Sequence, residues 1–224
     1  MTQVTLESFS AEEALQMGMA AHNASQFAVA ERLYRYAIAR QPDLAPALHH
    51  LGLILRGSGR SDEAIKVLTA ALAINPDLSA SRHALGTTLL NIGDYRAGWP
   101  LFEARLTNNP QVPKLDKPVW MGGPLAKRRL AIFAEQGMGD MIQFARFAPR
   151  LAERGAQIVL LCQPSLVSLF AHSFPNVEVL PTVGTVDLGE LDYWIMAMSI
   201  PDRMCLATDS VPRTPYLKAR NPQP

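Results

Sequence analysis

Cysteine is scarce. Cys162 and Cys205 are the only two in 224 residues, so no disulfide framework organises the chain. Cys162 stands in the apolar run IVLLC and reads as a small buried hydrophobe. Long apolar runs are missing too: none approaches the roughly 20 residues that a membrane-spanning helix needs. The N-terminus, MTQVTLESFSAEEALQ, lacks a basic segment followed by an apolar one, so it does not read as a secretory signal. The expected compartment is therefore the cytoplasm. An excess of charge is also lacking, with 21 Lys and Arg against 20 Asp and Glu. Residues 1–112 hold nine cations against ten anions, and the remainder twelve against ten. Neither half has the basic excess of a nucleic-acid binder. What is present is 48% hydrophobic against 18% charged residues, a globular balance with ample core material.

The first half repeats itself every 34 residues. With 11–44, 45–78 and 79–112 superposed, position 8 is Gly18, Gly52 and Gly86, and position 20 is Ala30, Ala64 and Gly98. Large residues occupy position 7 (Met17, Leu51, Leu85), position 11 (Ala21 in the first repeat, then Leu55 and Leu89) and position 24 (Tyr34, Leu68, Phe102). Small residues let two helices of a hairpin approach, and large ones fill the space around the crossing. Ser25, Gly59 and Gly93 mark the turn between the helices. Pro42, Pro76 and Pro110 close the second helix of each repeat, where no further N–H is needed. The period and this small–large order resemble the tetratricopeptide repeat (TPR), whose hairpins stack because one alone cannot bury its apolar face. The expected fold is therefore α plus α/β: a three-repeat TPR helical solenoid over 1–112, a connector over 113–127 and an α/β domain over 128–224.

In TPR arrays the first helices line a concave groove. The groove-facing positions here hold Leu15, Met19, His22 and Asn23 in repeat one, His49, Leu53 and Arg56 in repeat two, and His83, Thr87 and Asn91 in repeat three. A mixed surface of this kind suits an extended peptide or protein segment, although the same face could be merely solvated. His49, His50 and His83 lack carboxylate or thiolate companions at ligand spacing, so no metal is expected.

After Pro110 the periodicity changes. NPQVPKLDKPVWMGGPLAK, with four prolines and two glycines, reads as an irregular connector. Strands are expected at 128–134, 156–162, 177–181 and 191–198, with helices at 140–155 (kinked at Pro149) and 165–174. That alternation argues for a parallel sheet with crossover helices. The segment EQGMGD, 135–140, falls between the first strand and first helix, where open parallel sheets bind ligands. Gly137 and Gly139 would allow positive φ and close backbone approach. The segment is neither a dinucleotide fingerprint nor a P-loop, and Asp140 reads equally well as a helix N-cap.

Several stretches resemble bacterial proteins in which TPRs precede a glycosyltransferase domain related to the heptosyltransferases and, distantly, to O-GlcNAc transferase. They are GDYRAGWPLFEARL (93–106), PVWMGGPLAKRRLAIFAEQGMGDMIQFARF (118–147), LAERGAQIVLLCQPSLVSLF (151–170), MSIP (198–201) and TPYLKA (214–219). The resemblance implies the acceptor-side, Rossmann-like half of a GT-B fold over 128–224. It makes Asp140 the catalytic base for an acceptor hydroxyl, with Glu135, Gln136, Gly137, Gly139, Gln143 and Arg146 lining the same ligand pocket. Arg146 could equally be a surface ion-pair partner. The asparagine ladder of O-GlcNAc transferase is absent: its position holds Gln16, His50 and Ala84.

No cofactor is expected. The sequence stops at ARNPQP, so the donor-binding half is expected either from a separate chain or to have been lost by truncation. Two functions follow: a TPR interaction scaffold with a glycosyltransferase-like unit inactive alone, or a glycosyltransferase, for a protein or glycan acceptor, whose donor-binding half is supplied by another chain or cut off here.

Overall fold

The computed structural model describes residues 9–135, 137–206 and 214–219. Contacts divide the chain into two compact units, one ending at Asn108 and one beginning at Asn109. The first is built of six helices in three hairpins: α1 (Ala11–Asn23) with α2 (Phe27–Arg40), α3 (Ala45–Gly57) with α4 (Ser61–Ile74), and α5 (Ser79–Asn91) with α6 (Tyr95–Phe102). The helix α1 opens on a capping box in which Ser10 Oγ accepts from the Glu13 amide while the Glu13 carboxylate accepts from the Ser10 amide.

Each hairpin closes at its glycine. A Cβ on Gly18 would lie 2.6 Å from the Tyr34 ring, and one on Gly52 2.6 Å from Leu68 Cγ. Thus position 8 takes the large residue at position 24 of the facing helix directly against its backbone. Tyr34, Leu68, Ala30 and Ala64 are fully buried there. Repeat three packs closer still: a Cβ on Gly86 would stand 2.5 Å from the backbone nitrogen of Phe102. Between the helices, Ser25, Gly59 and Gly93 all have positive φ, at 59°, 75° and 87°. The turn is therefore the same in each repeat, with serine tolerated once where glycine is favoured.

The prolines act as expected in two repeats. The helix α2 ends just before Pro42 and α4 just before Pro76. Repeat three differs. Pro100 lies inside α6, which gives way at Glu103 to a 3-10 turn ending at Leu106, well short of Pro110. An internal proline removes one helical hydrogen bond and crowds the preceding turn. Along the outside, Glu31 of α2 accepts from Arg35 and from Arg60, and Glu63 of α4 pairs with both arginines. Such an exposed network links repeats one and two, each pair weakened by solvent screening.

The second unit holds a four-stranded, all-parallel sheet in the order β3-β2-β1-β4. Its strands are β1 (Arg129–Phe133), β2 (Gln157–Cys162), β3 (Val177–Pro181) and β4 (Tyr193–Met196). Between β1 and β2 run α7 (Met138–Ala145) and α8 (Phe147–Glu153), and α9 (Pro164–Ser173) joins β2 to β3. A short α10 (Ile200–Arg203) follows β4. The break in the first crossover falls at Arg146, not at Pro149. The Pro149 ring crowds the carbonyl four residues back, at Ala145, where α7 ends, and Pro149 then occupies the first turn of α8, where its missing N–H costs nothing.

Central strands are buried on both faces, as the near-continuous run Ile158–Cys162 requires. Cys162 is fully buried, and burial pushes its thiol up to about 11.

The stretch expected as irregular connector is in part a sheet edge. Val119 bridges to Trp194 in parallel, the Trp120 amide donates to the Trp194 carbonyl at 2.8 Å, and the Trp194 indole donates to the Lys117 carbonyl. Trp120 is buried and its own indole donates to the Gly123 carbonyl. Gly122 has φ +95°, and a Cβ there would stand 2.5 Å from the Arg203 carbonyl oxygen. Only glycine fits that approach.

The glycine crossings differ in what they face, which gives a graded test. In Gly52→Ala the new methyl meets a leucine side chain that can shift; in Gly86→Ala it meets backbone that cannot. We expect Gly86→Ala to lose about 2–3 kcal/mol and Gly52→Ala about 1, read from chemical denaturation. Equal losses would show that the third hairpin is no tighter than the second.

Candidate functional site

The first helices of successive repeats bring a row of histidines together. The His22 ring of α1 stands edge-on to His50 of α3 at 6.5 Å, and His50 stacks on Tyr34 at 5.5 Å. His49 lies 5.1 Å from His50, and its Nδ1 shares a 2.9 Å hydrogen bond with Ser81 Oγ of α5. His83 of α5 packs on Phe102 at 5.2 Å. Burial, then the neighbouring His50 and Arg56, lower His49 to about 4. Burial, then Arg105 and Arg56, lower His83 as well. Burial, then His22, lowers His50. At neutral pH these rings are uncharged donors and acceptors beside a fixed guanidinium.

Of the ten groove positions read from the sequence, Leu15 does not serve as expected. It is 6% exposed and belongs to the core shared with Ala30 and Leu51, because it points between the hairpins. Met19 and Leu53 are half-buried and pack on the cores of their repeats. His22, His49, Arg56, His83 and Thr87 are half-buried, and Asn23 and Asn91 exposed. Thr87 bonds its hydroxyl to the His83 carbonyl. Among the described residues no group of three or more His, Cys, Asp and Glu could hold a metal ion.

The second candidate lies at the carboxyl ends of the parallel strands. A cleft of about 580 Å³ is floored by Phe133 and Leu161, which face each other across β1 and β2. Glu135, Gln163 and Thr182, each just past a strand end, line it with Gln111 and the segment 184–188. Glu135 is 3% exposed, and its Oε1 accepts from the Met198 amide at 2.8 Å. It therefore ties the end of β1 to the chain after β4 as well as facing the cleft.

The other residues of the 135–146 set lie elsewhere. Gly137 caps α7 at φ −83°, and Gly139 lies inside the helix, so neither uses the positive φ expected of it. A Cβ on Gly139 would meet nothing within 4 Å. Asp140 is the third residue of α7 and makes no capping bond, so the N-cap reading does not hold. Its place in the first turn suits a negative charge beside the helix dipole. Gln143 is exposed on α7.

Arg146 is turned to a structural use: its guanidinium stacks over Tyr216 at 4.7 Å, and its Nε donates to the Gln143 carbonyl. Tyr216 in turn donates to the Ile142 carbonyl and stacks on Phe174, pinning the 214–219 segment to α7 and α9. Gln136 lies outside the described residues. The structure thus places Glu135 in the cleft and leaves Asp140, Gln143 and Arg146 out of its lining. Gln163 and Thr182 were missed, although the strand-end rule that singled out 135–140 applies to them equally.

The lowered His49 makes the TPR unit acid-sensitive. Its folded value near 4 lies below the ordinary 6.5 of a free histidine. The unfolded chain therefore takes up the proton first, so the stabilisation is complete above about pH 6.5 and is lost as pH falls toward about 4. We expect the melting temperature to fall over that window and His49→Gln, which can keep the Ser81 bond, to flatten the fall. An unchanged slope would exclude His49 as its source.

Comparison with known proteins follows the same division. Residues 15–79 match the family model of the tetratricopeptide repeat. A curated relative, FlbA of Caulobacter vibrioides, is 34% identical over 97 residues, covering 39% of this chain and only 16% of its own length. Among solved structures, the Sgt2 TPR domain of Aspergillus fumigatus is 22% identical over 45% of this chain and 64% of its own, with a TM-score of 0.40. The TPR2B domain of yeast Sti1, in complex with pHsp70, is 22% identical over 46% of this chain and 82% of its own, with a TM-score of 0.42. The N-terminal unit is a run of tetratricopeptide repeats.

Proposed function

We propose that this chain is a TPR interaction scaffold that holds an extended peptide or protein segment on the face of α1, α3 and α5, joined to a glycosyltransferase-like α/β unit. The observation that carries the reading is the row of polar side chains on the first helices of three stacked repeats, half-buried at His22, His49, Arg56 and His83 and exposed at Asn23 and Asn91. A peptide in that trough gains side-chain and backbone hydrogen bonds together. Replacing His49, Arg56 and Asn91 together by alanine should cost at least about tenfold in partner affinity while the helical circular dichroism is kept. Partner sets and affinities unchanged by the triple substitution would move the binding surface elsewhere.

The strand order of the second unit supports the finer reading of 128–224 as the acceptor-side, Rossmann-like half of a GT-B glycosyltransferase. The sheet grows outward from β1 through β2 to β3 and then reverses to β4, as the first strands of a doubly wound sheet do. In that reading Asp140, half-buried at the start of α7, is the base, and Glu135, Gly137 and Gly139 shape the approach to it. Glycosyl transfer also needs donor and acceptor held in near-attack geometry, which one open wall does not impose. The purified 224-residue chain should therefore transfer no sugar from uridine, guanosine or adenosine diphosphate sugars. Transfer that vanishes in Asp140→Asn would establish the enzyme reading; transfer gained only with a separately supplied donor-binding domain would establish a split enzyme.

A further inference from the structure

The cleft at the carboxyl ends of the sheet combines an apolar floor with uncharged hydrogen-bonding groups and one acid. At about 580 Å³ it falls within the range of small-molecule sites. Phe133 of β1 and Leu161 of β2 make the floor in register, and the half-buried Phe133 ring is held edge-on against Trp194 at 6.2 Å. Around it, Glu135, Gln163 and Thr182 each follow a strand end. Glu135 is already fixed, because the Met198 amide donates to its Oε1 at 2.8 Å, so a ligand need not order it. Thr182 donates its hydroxyl proton to the Cys162 carbonyl at 3.2 Å and keeps its oxygen as an acceptor. Cations are missing. Among the described lining residues there is no Lys, Arg or His, and Glu135 is the one ionisable group. Helix ends do not replace them: α9 starts at the cleft with Pro164, which has no N–H to give an anion, and the first turn of α7 does not line it. The cleft draws on β1, β2 and the chain after β3, but not on β4. Strand order reverses between β1 and β4, where a doubly wound sheet takes its ligand; the cleft is the neighbour of that crevice, with Glu135 tied to both.

We propose that this cleft binds an uncharged sugar ring and discriminates against phosphorylated or acidic ones. This deepens the acceptor-side reading of the second unit and rests on it only for what the bound sugar is used for. A pyranose carries what the cleft can meet: C–H groups on its faces for the apolar floor, and adjacent hydroxyls around its edge. A hydroxyl donating to the Glu135 carboxylate makes a short, charge-assisted bond. The Gln163 side chain both donates and accepts, so it can serve two neighbouring hydroxyls, and the Thr182 oxygen accepts from a third. A phosphate or carboxylate in the same place would face Glu135 with no cation to offset it, and such a repulsive element sets specificity alongside the attractive contacts. A nucleoside diphosphate is disfavoured on the same ground. The cleft therefore suits a sugar that receives, not the diphosphate-linked sugar that is given.

The test uses the full chain with methyl α-glucoside and methyl α-mannoside as neutral sugars, glucose 6-phosphate and glucuronate as charged counterparts, and uridine diphosphate. Binding is read by saturation-transfer NMR and titration calorimetry. The better neutral sugar should bind with a Kd of about 1 mM, and the charged ligands at least about tenfold more weakly. Glu135→Gln keeps an acceptor for the Met198 amide; it should weaken the neutral sugar about tenfold and narrow the gap to the charged ligands. Gln163→Ala should also weaken the neutral sugar, and it decides the matter if Glu135→Gln does not fold. Gln157→Ala, exposed at the start of β2 and so at the opposite strand ends, should leave binding unchanged. Glucose 6-phosphate or uridine diphosphate bound as tightly as the neutral sugars would overturn the proposal. So would no neutral sugar bound at about 20 mM, or binding indifferent to both cleft variants. Sugar bound in the cleft but never transferred, even with a donor-binding domain supplied, upholds the proposal and removes the transferase reading. Transfer to a peptide with no free sugar bound does the reverse.

Discussion

The closest approach in each TPR hairpin is made possible by a missing side chain. Gly18, Gly52 and Gly86 let the second helix press onto the backbone of the first, and the large residue at position 24, or in repeat three its own main chain, fills the contact. Helix pairs held this near leave Tyr34, Leu55 and Leu68 with no exposed surface. Dispersion and burial at these crossings depend steeply on distance, so a single methyl there is felt through the whole repeat. The left-handed turns at Ser25, Gly59 and Gly93 return the chain at the same angle each time, and one hairpin can therefore stack on the next.

That stacking decides what the first helices present. Residues pointing between hairpins, Leu15 among them, vanish into the core, while His22, His49, Arg56 and His83 remain at the surface of the array. The partial burial imposed by neighbouring repeats is also what holds His49 and His83 neutral. One packing constraint thus sets both the shape of the trough and its protonation.

The α/β unit depends on a different device. Its parallel sheet is secured along β4 by a segment without helix or full strand, through Trp120, Trp194 and the glycine at 122 that lets the chain pass the Arg203 carbonyl. At the carboxyl ends of the strands, polar residues after β1, β2 and β3 (Glu135, Gln163 and Thr182) line the cleft. Asp192 fixes the starts of β1 and β4, where its carboxylate accepts from the Arg129 amide and from Arg128 and is held below the usual range by those bonds.

Much of this was legible without coordinates. A period of 34 residues with small and large positions in register points to three helical hairpins, whose close crossings bring those residues together. The apolar runs at 128–134, 156–162 and 177–181 point to strands, and the helices between them argue for parallel pairing. The tertiary structure alone decided which members of a periodic set face outward, since position 5 buries leucine in the first repeat and leaves histidine half-exposed in the next two. It alone decided that Arg146 meets Tyr216 across 70 residues of sequence, and that Glu135 turns inward to the Met198 amide while Asp140 stays on its helix. The physical reason is common to all three. Periodicity reports the environment averaged over an element, whereas a site is made of individual side chains whose partners are supplied by distant parts of the chain.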